Sequence, residues 1–360
     1  MTVAVAVSGG VDSLLALQLL KGQSSEVLAL HARFLEPEGP ERRMEGRLAG
    51  ICRDLGVELV TVDLIDEFRG LVIEPFVRSY VKGETPNPCA LCNARIKFGV
   101  LLELAETMGA GSLATGHYAV SCLDTAKRPA LWRGHDDGKE QSYFLSLLRS
   151  DQLSRACFPL GRWRKQDAVE TVQRSGLSVP ARGESQEVCF IRDGDYRGFL
   201  QDQCSDLPGP GAIVDSLGRR LGQHSGLQNY TLGQRRGLGI AHSEPLYVLD
   251  KRSRENELVV GPRRELAADS FSVRELSLLL PSAEWPDTVF VQTTYRQRPR
   301  GVRVFPDPSG TRLQAVFDQP HTPATPGQVA AFYSPDGRVL GAGLIEAPGD
   351  RDCGASFPEP

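Results

Sequence analysis

Ser8-Gly9-Gly10-Val11-Asp12-Ser13 sets two glycines, two hydroxyls and a carboxylate between a short apolar run, Thr2 to Val7, and a helix-forming run, Asp12 to Leu20. A strand that turns this tightly into a helix aims bare backbone amides at whatever lies beyond it. The glycines allow close approach, Ser8 and Ser13 add donors, and the helix N-terminus adds partial positive charge. The chemistry this suits is binding of a nucleotide phosphate; an ordinary Ser/Gly turn with Asp12 as its cap is the plainer alternative. The stretch lacks the lysine of a G-x-x-x-x-G-K-[ST] loop and does not fit G-x-G-x-x-G.

A second set of residues offers sulfur chemistry. Thr85-Pro-Asn-Pro-Cys89-Ala-Leu-Cys92-Asn93 puts two cysteines three apart behind two prolines that fix an extended loop. Cys-x-x-Cys by itself is open between a redox pair, half a metal site and coincidence. Cys92 is expected just ahead of a helix over 94–108, whose dipole would favour its thiolate. Cys189, in Glu184-Ser-Gln-Glu-Val-Cys189-Phe-Ile, has apolar neighbours and alone reads as a core cysteine.

These residues need a frame. After the first strand and helix, the pattern predicts a strand over 26–34, a helix over 41–55, a strand over 57–62, helices over 67–81 and 94–108, and a strand over 112–115. Such alternation implies a doubly wound parallel sheet covered on both faces, with the glycine-rich loop after its first strand, where these sheets hold phosphates. Helical stretches follow at 143–148, 151–157 and 165–174. Beyond about residue 200 the chain becomes short β-rich runs, including 211–214, 245–249, 258–260, 289–294, 313–317 and 329–333. These read as a β-ribbon and a small barrel. Leu207-Pro-Gly-Pro-Gly211 marks the main boundary, giving expected units of 1–205, 206–265 and 266–347 and a poorly ordered tail at 348–360.

Composition fits an enzyme of the cytoplasm: no run is long and apolar enough to cross a membrane, and no basic leader precedes the first strand. Eight cysteines in 360 residues are too sparse for a disulfide framework. The net charge of −4 argues against bulk attraction to nucleic acid. Locally, 218–264 carries nine basic against four acidic residues, and Arg296, Arg298, Arg300 and Arg303 form a second stretch. Each reads either as a phosphate-backbone contact or as a solvated face.

SGGVDS resembles the PP-loop of ATP pyrophosphatases, which cleave ATP between its α and β phosphates. With TPNPCALCN, ATGHY (114–118), KEQSYFL (139–145), SQEVCFI, TLGQRRGLGI (231–240), TYRQ (294–297) and TPGQ (325–328), it resembles the ordered signature set of the tRNA-specific 2-thiouridylases, the MnmA/TrmU family, from residue 3 to about 346. The resemblance implies a PP-loop (adenine nucleotide alpha hydrolase-like) α/β domain, a central β-rich domain and a C-terminal β-barrel. It implies ATP-dependent 2-thiolation of the wobble uridine in tRNAs for Lys, Glu and Gln, with Mg²⁺. Sulfur would come from a persulfide or sulfide donor protein of the cysteine desulfurase relay, with no membrane partner. By resemblance Ala6, Val7, Ser8, Gly9, Gly10, Val11, Asp12, Ser13, Ala32 and Gly116 hold ATP, and Asn87, Pro88 and Cys89 face the target base. His117, Lys139, Glu140, Gln141, Arg235, Tyr295, Arg296 and Gln328 touch tRNA, although His117 alone would read as a structural histidine. Cys189 receives sulfur as a persulfide, and Cys92 attacks or positions it, leaving a Cys92–Cys189 disulfide for reduction.

Two residues depart from the family pattern. Glu140 stands where many members have Asp, which keeps the charge. Cys89 stands where well-known members have Asp, so Cys89, Cys92 and Cys189 form a possible three-thiol ligand set for a 4Fe–4S cluster that binds hydrosulfide at its open iron. A structural zinc site is a third option. Two other functions share parts of the pattern: a PP-loop synthetase that adenylates a small molecule, and an RNA-binding protein with a relict ATP site. Pyrophosphate release that depends on tRNA separates all three.

Overall fold

The computed structural model describes residues 2–23, 26–177, 179, 188–205 and 207–347. The expected tail at 348–360 and most of the 184–188 run before Cys189 lie outside the described residues.

Strands β1 (Thr2–Ala6), β2 (Val27–Arg33), β3 (Glu58–Asp63), β4 (Ala110–Ala114) and β7 (Ala156–Cys157) form one parallel sheet in the order β3-β2-β1-β4-β7. Strand side chains alternate between two cores, as a period of two requires. Ala4, Leu28, Leu30 and Leu113 face one cluster with Phe68, Ile96 and Leu101, while Val5, Ala29 and Ala114 face the other with Leu14, Leu17, Leu48 and Ile51. Helix α1 (Val11–Gly22) and the helix Gly39–Asp54 cover the second face. Helical segments over 65–81 and 88–107 cover the first. The sheet is therefore doubly wound, and because β1 sits between β2 and β4, a crevice opens at the carboxyl ends of β1 and β4.

The structure corrects three local expectations. The helix expected over 94–108 begins six residues earlier, at Pro88, with Asn87 as its cap accepting from the Ala90 amide at 3.2 Å. The stretch 151–157 is helical only in Ser150–Leu153, and its end is edge strand β7, paired with β4. Between β4 and β7 lies an unforeseen hairpin, β5 (Ala119–Leu123) with β6 (Pro129–Arg133).

The later half is β-structure. Strands β8 (Gly211–Val214), β9 (Arg220–His224), β10 (Leu246–Arg252) and β11 (Glu257–Pro262) form a sheet ordered β10-β11-β8-β9. A closed barrel follows from β12 (Ala268–Leu278), β13 (Val289–Gln292), β14 (Arg300–Pro306), β15 (Leu313–His321), β16 (Val329–Tyr333) and β17 (Val339–Ile345). Val273, Val291, Leu313, Ala330, Phe332 and Ile345 fill its interior.

All three units meet at the segment 82–86, just before the cysteine pair. Ser253 Oγ donates to the Lys82 carbonyl (2.9 Å), Arg274 pairs with Glu84 (2.9 Å), and the Thr85 amide donates to the Pro326 carbonyl (2.8 Å).

Candidate active site

The phosphate loop is built as its residue types require. Gly9 has φ of +79°, a conformation that side chains rarely adopt, and Gly10 caps α1 without a side-chain acceptor, so the first-turn amides stay open to an anion. Ser13 Oγ braces the loop, donating to the Gly10 carbonyl (3.0 Å) and accepting from the Ser8 amide (3.2 Å). Gly116, after β4, crosses so close that an added Cβ would lie 2.6 Å from the Asp12 carbonyl carbon. Asp12 is held by two residues that the sequence pattern did not single out. Lys165 Nζ donates to both carboxylate oxygens (2.7 and 2.8 Å), and the Tyr118 hydroxyl donates to Oδ1 (2.8 Å).

A cleft of about 2630 Å³ runs from this loop to the cysteines and on to the barrel. Ala6, Val7, Ser8, Gly10, Val11, Asp12, Ser13, Ala32 and Gly116 line one end, with Gly9 buried behind them. Asn87, Pro88, Cys89, Cys92, His117 and Cys189 line the middle, and Tyr295, Arg296 and Gln328 reach it from the barrel. Lys139, Glu140 and Gln141 form part of the same wall. Lys97, Arg133 and Phe144 also line it and went unnoticed in the sequence, because nothing local distinguishes them from surface or core residues.

Three residues expected to touch tRNA have places or partners that the sequence did not show, and one local expectation is corrected. Arg235 is exposed and lines a separate pocket of about 650 Å³ in the central sheet region with residues 237–246. Gln328 spends its amide on the protein, donating to the carbonyls of Thr85 (2.9 Å) and Pro86 (3.1 Å). Glu140 is buried, accepts from the Ser142 amide and faces Arg133 at 3.5 Å; burial raises its carboxyl above the ordinary value. The correction concerns Cys92. It is the fifth residue of a helix that starts at Pro88, past the turn where the dipole acts, and burial pushes its thiol up to about 12. Cys89 occupies the first turn instead; it and Cys189 are exposed at the cleft surface, and desolvation by the surrounding walls still raises both thiols above the ordinary value.

The three thiols lie near enough to perturb one another's ionisation, and all three are free. Among the described residues, no group of three His, Cys, Asp or Glu side chains is arranged to hold a metal ion. His117 is buried, with Nδ1 2.7 Å from Thr115 Oγ1, and burial keeps its imidazole neutral. The basic stretch over 218–264 is partly spent internally: Arg219 pairs with Asp215, Arg252 with Glu257 and Arg264 with Glu244. Arg296 and Arg298 remain on the cleft wall.

Known proteins resolve what this geometry belongs to. Residues 1–193 match a family model described as the tRNA methyl transferase HUP domain, 197–262 its PRC-barrel domain, and 268–345 an aminomethyltransferase beta-barrel domain. A tRNA-specific 2-thiouridylase MnmA from Nitratidesulfovibrio vulgaris strain Miyazaki F is 47% identical over 353 residues, covering 97% of this chain and 100% of the relative. The chain belongs to the tRNA-specific 2-thiouridylase family. MnmA proteins from Oleidesulfovibrio alaskensis and Magnetococcus marinus are 48% and 41% identical, covering 96% and 95% of this chain and 99% and 98% of their own lengths. The family models' description names methyl transfer, whereas these full-length family members are named for thiolation.

Proposed function

We propose that this chain is an ATP-dependent tRNA sulfurtransferase that converts the wobble uridine to 2-thiouridine, acting on tRNAs for Lys, Glu and Gln. One observation carries the reading: a single cleft joins the phosphate loop, three thiols and an arginine-bearing barrel edge. Its volume exceeds the roughly 300–1,000 Å³ of a small-molecule site, which suits a base presented on an anticodon loop. It gives no support to a small-molecule synthetase.

In this reading the uridine O2 attacks the ATP α-phosphate and pyrophosphate leaves. The oxygen, a poor leaving group, thereby becomes part of AMP, a good one. The amides around Gly9 and Gly10 take the phosphate charge, and Asp12, which already holds the Lys165 ammonium, would hold Mg²⁺, whose bound charge offsets that of the phosphates. The β-barrel's Tyr295 and Arg296 and the neutral His117 bound the pocket for the base.

Sulfur arrives as a persulfide on Cys189 from a donor protein. The Cys92 thiolate attacks the Cys189 sulfur, forming the Cys92–Cys189 disulfide and expelling hydrosulfide, which adds to C2 as AMP departs. A cellular thiol then reduces the disulfide. We assign residues 1–205 to adenylation and sulfur transfer and 206–265 and 266–347 to tRNA. A cytoplasmic setting fits, with its reducing thiol pool and no described helix long and apolar enough to cross a membrane. The test is pyrophosphate release with and without tRNA, followed by nucleoside analysis. Release that requires tRNA and yields 2-thiouridine supports the reading, and release indifferent to tRNA overturns it.

A further inference from the structure

The short helix Ser142–Leu145 takes no part in the reaction above, yet each of its first three residues grips the barrel. Ser142 Oγ lies 3.1 Å from the Tyr333 hydroxyl, at the end of β16. The Tyr143 hydroxyl shares its proton between the carbonyls of Val329 (3.1 Å), which opens β16, and Thr293 (3.2 Å), which follows β13. Phe144 lays its ring against Tyr295, with centroids 4.4 Å apart and planes at 36°. Ser142, Tyr143 and Tyr333 are buried, so these hydroxyls depend on the partners they have; a buried O–H that loses one finds no water in its place. Two consecutive residues of the helix therefore hold the barrel segment 293–295, whose Tyr295 the reading above sets against the RNA.

The same helix also reaches the cysteine-bearing helix. The Phe144 carbonyl accepts from Asn93 Nδ2 at 3.0 Å, and Asn93 directly follows Cys92. Asn93 is buried and its Oδ1 has no partner among the described residues, so the bond to Phe144 is what fixes its side chain. Gln152 Nε2 pins the next residue, donating to the Ala94 carbonyl at 2.8 Å. Phe144 thus touches Tyr295 through its ring and the neighbour of Cys92 through its backbone.

We propose that Phe144 is a positioning residue for sulfur transfer: it ties the placement of Cys92 to Tyr295, so that tRNA seated against the barrel sets the cysteine as it sets the base. This rests on the tRNA-thiolation reading above. Phe144 makes and breaks no bond. Its contribution is a coupling free energy between two places, and such an energy shows as one change losing its effect once the other has been made.

The test compares full-length wild type, Phe144→Leu, Phe144→Tyr, Tyr295→Leu and the Phe144→Leu/Tyr295→Leu double variant at saturating tRNA. AMP transfer to tRNA and thiolation are timed separately in single turnovers. Phe144→Leu should slow the sulfur step about tenfold while AMP transfer and the Kd for tRNA stay within about twofold. Phe144→Tyr keeps the ring and should recover most of the loss, and the double variant should be no slower in the sulfur step than Phe144→Leu alone. Equal losses in both steps would overturn the proposal and make Phe144 a structural residue. Weaker tRNA binding at an unchanged sulfur step would overturn it too, and make Phe144 an RNA contact. Amide hydrogen exchange over residues 88–96, with and without tRNA, reads the link without catalysis: tRNA should slow exchange there in wild type and lose that effect in Phe144→Leu. Equal protection in the two proteins would overturn the link. Wild type that makes no 2-thiouridine would instead overturn the thiolation reading, while the exchange comparison still decided whether Phe144 joins Tyr295 to Cys92.

Discussion

Gln328 donates its side-chain amide to the Thr85 carbonyl at 2.9 Å, and so fastens the barrel to the loop that delivers Cys89. A second bond, to Pro86 at 3.1 Å, makes the grip bidentate. Gly327 beside it has φ of +84°, and a Cβ there would sit 2.9 Å from the Glu84 Cβ, so the turn is shaped to let the two backbones touch. Resemblance implies that Gln328 touches tRNA; the geometry shows its amide holding the backbone of the loop that leads to the cysteines.

Gln328→Leu should therefore damage sulfur transfer more than tRNA binding. Two hydrogen bonds are lost and their buried carbonyls stranded, which costs about 1–3 kcal/mol of stability. The thiolation kcat should drop about tenfold with the KM for tRNA within twofold. A steady-state comparison checks this, and a raised KM at unchanged kcat would return Gln328 to the RNA.

The Asp12–Lys165 pair leads to a second expectation. Asp12→Ala should abolish tRNA-dependent pyrophosphate release and leave tRNA affinity within a few-fold, because the loop lies at the cleft end away from the barrel. Lys165→Met should also impair release, since it leaves the Asp12 carboxylate with the Tyr118 hydroxyl but no cation. Normal turnover in Asp12→Ala would remove the phosphate-loop assignment.

Much of this site was legible in the sequence because its signals are local. A β-branched run, two glycines and an apolar helix define the phosphate loop without knowledge of the rest of the chain. The strands 211–214 and 329–333 agree with the structure for the same reason. What stayed hidden depends on distant partners. Lys165 meets Asp12 across 153 residues, and Gln328 meets Thr85 across 243. Strands β9, β12, β14 and β17 were missed where arginines, glycines or bulges break the alternation, as at Arg274/Ser277 in β12. The helix start at Pro88 was misplaced because Cys-Ala-Leu-Cys carries no helical signal until Asn87 is seen to cap it.

The cleft and the central sheet should separate in their salt dependence. Arg296→Ala should weaken tRNA binding, flatten its log–log salt slope by roughly one unit if it meets one phosphate, and lower thiolation. Arg235→Ala, outside the cleft, should weaken binding without lowering kcat at saturating tRNA. Filter binding across a salt series checks both, and unchanged affinity in the two variants would make the basic stretches solvated faces.

The pH dependence of Cys92 has a definite sign. Its ordinary value is 9.0 and burial pushes it up to about 12, so the folded protein keeps this proton where the unfolded chain loses it. Stability from this group is intact below about pH 9 and declines as pH rises toward 12. Alkylation of Cys92 should climb about tenfold per pH unit from 7 to 10 with no plateau. A plateau near neutral pH would mean that the thiolate is already formed.

Cys89→Ser divides the two sulfur mechanisms. Cys92→Ala and Cys189→Ala should each stop thiolation while AMP transfer to uridine remains detectable, since adenylation uses the phosphate loop and base pocket but no sulfur. If Cys189 carries a persulfide resolved by Cys92, Cys89→Ser keeps substantial activity and the wild type needs no iron. If the three thiols gather around a cluster when one is supplied, losing one ligand should bleach the brown colour of anaerobically purified protein and remove activity, because serine is a poor substitute for thiolate on iron. Iron and sulfide analysis beside the thiolation assay reads both, and wild-type thiolation by Cys92→Ala or Cys189→Ala would return the cysteines to a structural role.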